Sequence, residues 1–579
     1  MQTAQRFALF CAAALCSSSL AAQPVVDGDL GEWAEPLYTD AAGDGTPLDL
    51  GRLWGASDAA YLYLAFETGA VLNLQEFTAL TLYVDADDNA ATGEAVGGIG
   101  AEVAYAFGAR QGTVRLPGSA SAPVNHAALG LLSAPTVTAD RFDVALRRDA
   151  AVGGRPVFTG GAVRVVLRDG ASGDALPDVP GGVRLVLSDA PYARAPVELG
   201  RQRADDLRVL SYNVLRDGLF VDPQTGPFRR IFQATGPDVV ALQEVYGHTP
   251  AQVAARLAEL VPGTTWYAAG VPGSDVIVAA RYPVLETTPI CARPGVPSTC
   301  NVAVRLDLRP RSEAGLYVVS MHTPCCSNNA GRQEDFDALA AHLRDARASG
   351  ALPARTPLVV AGDMNLVGDR RQVQTLLAGD IADNARFGPD AAPDVDGTPL
   401  ADAAPLTTGR PARFTWINAA ESFPPGRLDY VVYADALLAP GNGFALYTPA
   451  LTAAELARYG LAVGDSDVSD HLPLVQDFAL AAPVGAEEGG ADGRTGLLPP
   501  APNPARDGAT VRFHLERPGH VRLVVLDPLG RTVRVLVDGE RGAGPHTVAL
   551  DAGRLAAGAY LVRLDAGGRP FVRWLTVAR

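Results

Sequence analysis

The stretch PLVVAGDMNLVG, residues 357–368, is a short apolar run that ends in the polar residues Asp363 and Asn365. In α/β folds ligands bind at the carboxyl ends of the strands, so polar side chains at the end of a buried strand are candidates for chemistry. Glycine, aspartate and asparagine are also ordinary turn residues. On this stretch alone a turn and a reactive site are equally good interpretations, and the rest of the chain has to decide.

Further polar side chains of this kind end or follow apolar runs between residues 206 and 480. They are Asn213 after VLSY, Glu244 at the end of VVALQE, His322 at the end of YVVSMH, Asp429 in RLDYVV, and Ser469, Asp470 and His471 in SDH. Each has a structural explanation, since asparagine and aspartate cap turns and helices. Together they indicate one site suited to metal and phosphate chemistry.

These residue types suit the hydrolysis of a phosphodiester. The reaction needs a nucleophilic water, neutralised charge on the non-bridging oxygens and help for the leaving oxygen. A hard cation such as Mg²⁺, or Mn²⁺, neutralises that charge, and Glu244 is a natural ligand for it. His471 can take a proton from water if Asp429 holds its ring. The side chains left to contact the phosphate or to place the water are His322, Asn365 and Asp363.

The elements that must position these residues change along the chain. Residues 23–200 contain short strands with alternating polarity, which predicts an all-β sandwich. Strands alternate with helical patterns at 203–480, which predicts an α/β domain. A linker rich in glycine, proline and alanine follows at 481–500, and residues 501–579 again show only strands. We therefore expect a multidomain chain, with a central α/β domain between an N-terminal and a small C-terminal all-β sandwich.

The N-terminus and the charge bear on where the protein works. Residues 1–22 contain one arginine, a short apolar run and small residues, which predicts a secretory signal peptide. The protein is thus expected to be exported, either secreted or attached to the cell surface. No other stretch is long and apolar enough to predict a transmembrane helix. The formal net charge of -16 argues against long electrostatic tracking along nucleic acid.

A second group of oxygen donors lies in the predicted N-terminal sandwich. In DADDNAATG, Asp85, Asp87 and Asn89 occupy alternate positions. Oxygen ligands at this spacing suit a structural Ca²⁺ ion, although a polar β-turn explains the same residues.

Four cysteines remain once Cys11 and Cys16 are removed with the predicted signal peptide. An even number in an exported protein suggests two disulfides. CNVAVRLDL and LYVVSMHT predict a hairpin that folds near residue 312 and brings Cys300 close to residue 324. We therefore expect bridges that join Cys291 and Cys300 to Cys325 and Cys326. A free thiol pair or a metal site is the alternative.

Six motifs, SYNV, ALQE, MHT, AGDMN, RLDYVV and SDHLPL, resemble in order and spacing the endonuclease/exonuclease/phosphatase superfamily over roughly residues 206–480. This group includes DNase I-like nucleases, exonuclease III-like repair enzymes, inositol-phosphate phosphatases and neutral sphingomyelinases. The resemblance implies a four-layer α/β sandwich, with two packed β-sheets flanked by helices, and Mg²⁺-dependent phosphoester hydrolysis.

The resemblance also implies a role for each matching residue. The residues at or near the metal would be Glu244, Asn213 and Asp470. The residues acting on water and phosphate would be Asp363, Asn365, His322 and His471, the last oriented by Asp429. His322 favours the DNase I-like and sphingomyelinase-like branches, and Arg281 in AARYPV matches a turn expected to give structural support. The two cysteines after His322, in HTPCCSNNAGRQ, depart from these branches and put the shape of the substrate groove in doubt.

Two further resemblances concern the ends of the chain. The opening DGDLGEW resembles carbohydrate-binding-module family 9-like sandwiches, which implies a glycan contact, although a spacer explains the domain equally well. PNPARDG and GAYLVRL resemble the C-terminal sorting domain of the type IX secretion pathway, which implies contact with that machinery. An ordinary adhesion domain is the alternative.

The expected function is a secreted, metal-dependent phosphodiester hydrolase that is nuclease-like, with nucleic acid favoured over lipid as the substrate. The alternatives are a sphingomyelinase-type lipid phosphodiesterase and an adhesion or sugar-binding protein whose α/β domain is inactive. The complete set of carboxylates and both histidines argue against an inactive domain.

Overall fold

The computed structural model describes residues 23–480 without 310 and 313, and residues 495–577 without 499, 502, 504, 507, 527–531, 556–557 and 567–568. The predicted signal peptide and most of the predicted linker lie outside the described residues. The chain divides into two compact units, Met1–Ala481 and Ala482–Arg579. Within the described ranges no helix combines the length and the apolar character that a membrane crossing requires.

The N-terminal region, residues 23–200, contains two antiparallel sheets that enclose one apolar core; we call it the N-terminal sandwich. One sheet has the order Tyr38–Thr39, Arg52–Ser57, Tyr61–Leu72, Ala139–Arg147, Leu132–Ala134. The other has the order Ala175–Leu176, Ala162–Asp169, Leu80–Asp85, Val103–Ala106, Gln111–Val114, Ala122–Val124, with Val183–Val186 also paired to Ala162–Asp169. The remaining elements are the strand pairs Glu94–Val96 with Ile99–Ala101 and Ala151–Val152 with Arg155–Pro156, and the helix His126–Leu129.

The central region contains two six-stranded sheets. The first has the order Tyr267–Gly270, Ile277–Ala280, Val239–Gln243, Leu207–Asn213, Leu474–Leu480, Leu438–Ala445. The second has the order Val284–Cys291, Cys300–Leu306, Leu316–His322, Leu358–Asp363, Asp429–Tyr433, Ala401–Asp402. A multi-sheet centre, with strand-rich segments before and after it in the chain, agrees with the predicted fold class, whereas the N-terminal sandwich and the central region form one compact unit.

Apolar packing on both faces of the central sheets explains their nearly continuous apolar strands. One core joins residues of both sheets, such as Val209, Val239, Val304 and Val318, all fully buried. Two further cores join each sheet to helices, and they include Phe232 on one side and Phe336 on the other. Each fully buried side chain of this size contributes roughly 1.5–3 kcal/mol. The helices of this region are Thr225–Thr235, Pro250–Leu260, Asn329–Ser349, Arg371–Ala378, Asn384–Phe387 and Ala453–Tyr459.

Local sequence fixes several of these helix ends. Thr249 and Gln252 form a reciprocal capping box at the start of Pro250–Leu260. The helix Thr225–Thr235 ends at Gly236, whose φ of 54° is the left-handed conformation that terminates many helices. The long helix Asn329–Ser349 connects the parallel strands Leu316–His322 and Leu358–Asp363. It therefore places the two strand ends at the same edge of the sheet.

The C-terminal unit contains two antiparallel sheets around its own core. One consists of Gly496–Leu497, Ala509–Leu515 and Gly544–Leu550, and the other of Thr532–Arg541, Gly519–Leu526, Gly558–Ala566 and Arg569–Val577.

The predicted disulfide pairing is wrong. Cys291 and Cys300 are bonded to each other, whereas Cys325 and Cys326 are free and exposed. The reason is strand register: Cys291 lies directly opposite Cys300 in an antiparallel pair. Val302 lies opposite Ser320, so Cys325 and Cys326 come after the paired part of their strand. The free thiol pair, the alternative interpretation, is what the structure shows.

Candidate active site

Strand register brings three of the predicted residues side by side. His322 pairs with Asp363 across the parallel strands, and Asp363 pairs with Asp429 across the next, antiparallel pair. In the other sheet Asn213 pairs with Gln243, the residue before Glu244. Both sheets thus deliver polar strand ends to one place. We call Asn213, Glu244, His322, Asp363, Asp429 and His471 the Asp363 cluster.

One carboxylate oxygen, Asp363 Oδ2, lies at the centre of the cluster. Asn213 Nδ2 donates to it at 3.1 Å, and the Nε2 atoms of His322 and His471 lie 3.6 and 3.5 Å away. Asp363 itself is 1% exposed. Both imidazoles therefore turn the same ring nitrogen toward one buried carboxylate.

Asp429 holds the ring of His471, as the sequence predicts. Asp429 Oδ2 lies 2.8 Å from His471 Nδ1, and both side chains are buried. Burial alone would lower the pKa of His471, but Asp429 and Asp363 raise it to about 10. Because Nδ1 faces Asp429, Nε2 is the atom left to act in the cleft.

Asp275 holds the ring of His322 in the same way, and sequence reasoning missed it. His322 Nδ1 lies 2.5 Å from Asp275 Oδ2. Burial would lower the pKa of His322, but the hydrogen bond to Asp275 and the charge of Asp363 raise it to about 9. Asp275 lies in SDVIV, two residues before the strand Ile277–Ala280, but this position does not indicate which imidazole it contacts.

Glu244 lies on a strained backbone beside a strained loop. Its φ is 61°, and Leu215, Arg216 and Asp217 follow one another at φ 49°, 50° and 61°. Glu244 Oε1 accepts from Asn213 Nδ2 at 3.1 Å, and Oε2 accepts from the backbone N–H of Arg216 at 2.9 Å. Non-glycine residues in this conformation cost about 1–3 kcal/mol each and cluster at functional sites.

Asn213 serves this carboxylate pair in a way that the sequence did not indicate. Its Nδ2 donates to Glu244 and Asp363, while its Oδ1 accepts from the backbone N–H of Leu215 at 3.0 Å. The amide therefore holds two carboxylates in place, and its predicted position near the metal stays a prediction.

The opening stretch is both a turn and part of the site. Asn365 has a φ of 44°, and its backbone N–H donates to Asp363 Oδ1 at 3.0 Å. Its side-chain Nδ2 donates to the carbonyl of Thr323 at 2.9 Å. Asn365 thus joins the ends of the two parallel strands, and it also lines the cleft.

The SDH residues reach the cluster from a third side. Ser469 Oγ donates to the carbonyl of Asn213 at 2.8 Å. Asp470 Oδ2 accepts from the indole N–H of Trp416 at 3.1 Å, while Asp470 Oδ1 is buried with no hydrogen-bond partner among the described residues. Arg281 lies near Asp238 and over the ring of Trp266, 5.7 Å from its centroid, as expected of a supporting residue.

The donor set fits a divalent cation. Five carboxylates lie at the site against two imidazoles, which leaves an excess of negative charge: Glu244, Asp275, Asp363, Asp429 and Asp470. Ligand atoms of Asp363, Asp429 and His471 lie within 4.8 Å of one another. The buried, unpartnered Oδ1 of Asp470 is a further oxygen that a hard cation would satisfy. Glu244 and Asp470, the carboxylates predicted to bind the metal, line the same cleft as Asp363.

The cluster lies at the base of a cleft of about 600 Å³. Three different segments form its walls. They are the loop closed by the Cys291–Cys300 disulfide, the Cys325–Cys326 turn, and the segment from Trp416 to Leu428. Cys325 and Cys326 both line the cleft. The two cysteines after His322 therefore shape the groove.

The N-terminal sandwich also contributes to the cleft, which sequence reasoning did not anticipate. Gln75, Glu76 and Thr136 line it. Asn73 Nδ2 donates to the carbonyl of Val367 at 3.0 Å, and the backbone N–H of Thr138 donates to Gly368 at 2.8 Å. These bonds secure the loop that follows Asp363 and Asn365.

A second set of contacts secures the segment before Asp429. Asn125 Nδ2 donates to the carbonyl of Ala419 at 3.0 Å, and His126 Nε2 lies 3.1 Å from the carbonyl of Glu421. The Arg110 guanidinium lies 4.0 Å from the ring centroid of Phe423, which lines the cleft. The sandwich is therefore a structural part of the site.

Residues 210–471 match the model of the Endonuclease/Exonuclease/phosphatase family. No curated protein matches the chain. The matching solved structures include an endonuclease/exonuclease/phosphatase from Beutenbergia cavernae, which is 20% identical, with 64% of this chain and 100% of that chain covered and a TM-score of 0.32.

Two further matches carry more specific names. TDP2 of D. rerio, complexed with single strand DNA product, is 19% identical, with 48% of this chain and 99% of that chain covered and a TM-score of 0.32. Sphingomyelinase C from Streptomyces griseocarneus is 21% identical, with 47% and 99% covered and a TM-score of 0.30. At these TM-scores neither match bears on the substrate. Residues 210–471, the segment that contains the Asp363 cluster, therefore match the Endonuclease/Exonuclease/phosphatase family model.

Proposed function

We propose that residues 203–480 are a divalent-metal-dependent phosphodiester hydrolase of the nuclease-like kind. The observation that supports this most directly is the convergence of His322 Nε2 and His471 Nε2 on Asp363 Oδ2, with each ring held by its own carboxylate. Two fixed imidazoles beside an acidic, cation-binding centre provide what attack on a phosphodiester needs.

The family's fold implies Mg²⁺ or Mn²⁺, which, when bound, would neutralise charge on the substrate phosphate. In the proposed reaction a water oxygen bonds to phosphorus as the bond to the leaving oxygen breaks, and the leaving oxygen takes a proton from solvent to become the alcohol. Asp363 orients the water and accepts its proton. His322 and His471, each held at Nδ1 by a carboxylate, turn Nε2 toward the site and donate hydrogen bonds to the phosphate oxygens. The sequence predicted that His471 takes this proton, and that role stays a prediction and an alternative to Asp363.

Nucleic acid is the proposed substrate class because aromatic side chains line the cleft. Tyr246, Trp416 and Phe423 are at its walls, and Tyr246 is 60% exposed. Stacking of a base on an aromatic ring contributes about 1–3 kcal/mol and tolerates any sequence. Flat rings beside a phosphate site suit single-stranded or frayed nucleic acid.

We also propose that the protein is exported, with residues 1–22 as the signal peptide and residues 501–579 as a sorting domain for secretion. The Cys291–Cys300 disulfide supports an oxidising compartment. A glycan contact by the N-terminal sandwich remains a prediction.

The test is an assay of the purified protein on single-stranded DNA, RNA, a small aryl diester and sphingomyelin. Each substrate is offered with Mg²⁺, with Mn²⁺ and with EDTA. We expect nucleic acid hydrolysis that disappears in EDTA and returns with added metal, and no activity in Glu244→Gln. Full activity in excess chelator would refute metal dependence, and turnover of sphingomyelin alone would favour the lipid alternative.

A further inference from the structure

The excursion between two strands of the N-terminal sandwich, residues 86–102, contains a second acidic cluster. Asp85 ends the strand Leu80–Asp85, and Glu102 directly precedes the strand Val103–Ala106. Asp87 lies between them in sequence. One oxygen of each of these three side chains lies within 4.8 Å of the others. Asp85 and Glu102 are 0% and 1% exposed, and Asp87 is partly exposed.

The hydrogen bonds of this cluster leave one carboxylate oxygen without a donor. Asp85 accepts from the backbone N–H groups of Asn89 at 3.0 Å and Gly100 at 3.4 Å, and Asp87 accepts from the Thr92 hydroxyl at 3.0 Å. Glu102 Oε2 accepts from the backbone N–H of Ala86 at 2.8 Å. Glu102 Oε1 is buried with no hydrogen-bond partner in the part of the chain that the structure describes. A buried carboxylate oxygen without a partner is strongly unfavourable unless a proton or a cation satisfies it.

Nearby positive side chains do not compensate this charge. Arg164 and Arg184 both pair with Asp88, at 2.7 and 2.9 Å. Among the described residues no ion pair involves Asp85, Asp87 or Glu102.

We propose that Asp85, Asp87 and Glu102 form a Ca²⁺ site that ties together the two ends of the 86–102 excursion. Hard oxygen donors alone, from carboxylates of different segments, suit Ca²⁺ and its adaptable coordination. Glu102 takes the place that the sequence suggested for Asn89. The Asn89 side chain is exposed, and its Oδ1 accepts from the backbone N–H of Ala91 at 3.2 Å.

The site is independent of phosphodiester cleavage. Its three ligands do not line the cleft. The ion would link the strand that ends at Asp85 to the one that begins at Val103, and so hold the hairpin Glu94–Val96 with Ile99–Ala101 against the sheet. The expected effect of Ca²⁺ is on the stability of the sandwich.

The experiment measures Ca²⁺ binding to the metal-stripped full chain by calorimetry, together with thermal melting. We expect the number of bound Ca²⁺ ions per chain to fall by one in Glu102→Gln, and Ca²⁺ to raise the Tm of the wild type more than that of the variant. The difference isolates this site, because the Asp363 cluster is the same in both proteins. An unchanged number of ions in Glu102→Gln, or no Ca²⁺ bound by the wild type, would overturn the proposal.

Two more variants protect the result. The control is Asp44→Asn, which removes an exposed member of a separate acidic group in the same sandwich, with Asp40, Asp174 and Asp178. When Asp44→Asn is present, Glu102→Gln should still lower the number of bound Ca²⁺ ions by one. If Glu102→Gln does not fold, Asp87→Asn replaces it, since Asp87 is partly exposed. It should weaken Ca²⁺ binding at this site at least tenfold, and wild-type affinity in the folded variant would refute the proposal.

Discussion

The hydroxyl of Thr136 donates to the carbonyl of Leu366 at 2.6 Å and lies 3.3 Å from the carbonyl of Arg427. One side chain of the N-terminal sandwich thus bridges the loop after Asp363 and the segment before Asp429. Thr136 is 7% exposed and lines the cleft. It acts on the site through the backbone that it holds, as a positioning residue.

Thr136→Val should therefore lower kcat more than it changes KM. Valine keeps the shape of the threonine side chain, but the two backbone carbonyls lose their hydrogen-bond donor. This loss lowers the free energy of unfolding by about 1–3 kcal/mol. A small displacement of reacting groups costs up to about 100-fold in rate, and we expect roughly tenfold here. The control is Thr68→Val, because Thr68 donates to Ala70 within the sandwich at 2.8 Å. Equal losses of activity in the two variants would show a general stability effect only.

His471 and Asp429 should behave as one unit. His471→Ala should reduce kcat/KM by about 10²–10⁴-fold, the usual value of a positioned proton-transfer or charge-stabilising group. Asp429→Asn should cost less, since the amide keeps the packing but loses the charge that holds the ring. The double variant should be little worse than His471→Ala, because residues that act together are not additive. If the loss of kcat/KM in the double variant equals the product of the two single losses, His471 and Asp429 do not act as one unit.

Asp275→Asn should lower the pKa of His322 from about 9 and reduce kcat/KM by roughly tenfold, because the imidazole loses its charged partner. NMR titration of the imidazole gives the pKa, and steady-state kinetics give the rate. The matched control is Asp538→Asn, which removes the partner of His520 in the C-terminal unit. A lowered pKa without any loss of rate would remove His322 from the reaction.

Asp335 should make the folded state less stable as the pH rises. It lines the cleft, and burial raises its pKa to about 8. The folded protein therefore holds this proton more tightly than the unfolded chain, whose carboxyl has a pKa of about 4. The contribution to the free energy of unfolding is complete below about pH 4 and is lost as the pH rises through about 8. Asp335→Asn should flatten this part of the curve in urea unfolding, whereas Asp345→Asn, on the exposed side of the same helix, should not.

Peptide mapping without reductant should find Cys291 linked to Cys300, with Cys325 and Cys326 unlinked to them. A loop of this length stabilises by roughly 2–3 kcal/mol, mainly by restricting the unfolded chain. Replacing Cys291 and Cys300 together by serine should cost that amount, and replacing Cys325 and Cys326 should cost almost nothing. A link between the two pairs would contradict the strand register of Cys291 and Cys300.

The sequence was most informative where a side chain ends its own strand. Asp363, His322 and Asp429 could be predicted because the apolar run before or after each one marks a strand, and parallel strands place their ends together. Asp275 and Thr136 could not, because each acts on a partner far away in the chain, and only the packing of separate elements makes the contact. The predicted disulfide pairing was wrong for a related reason. The residue types indicated a hairpin, but strand pairing decides which cysteine lies opposite which.

The hydrogen bonds from Thr136, Asn73 and Thr138 to the loop after Asp363 limit how the two segments can be separated in evolution. Recombination that moves residues 203–480 onto another carrier domain would strip those carbonyls of their donors and open one side of the cleft. The N-terminal sandwich and residues 203–480 are therefore expected to remain together in evolution, although they are separate in sequence. Substitutions on the sandwich surface that lines the cleft should be selected together with changes in the substrate.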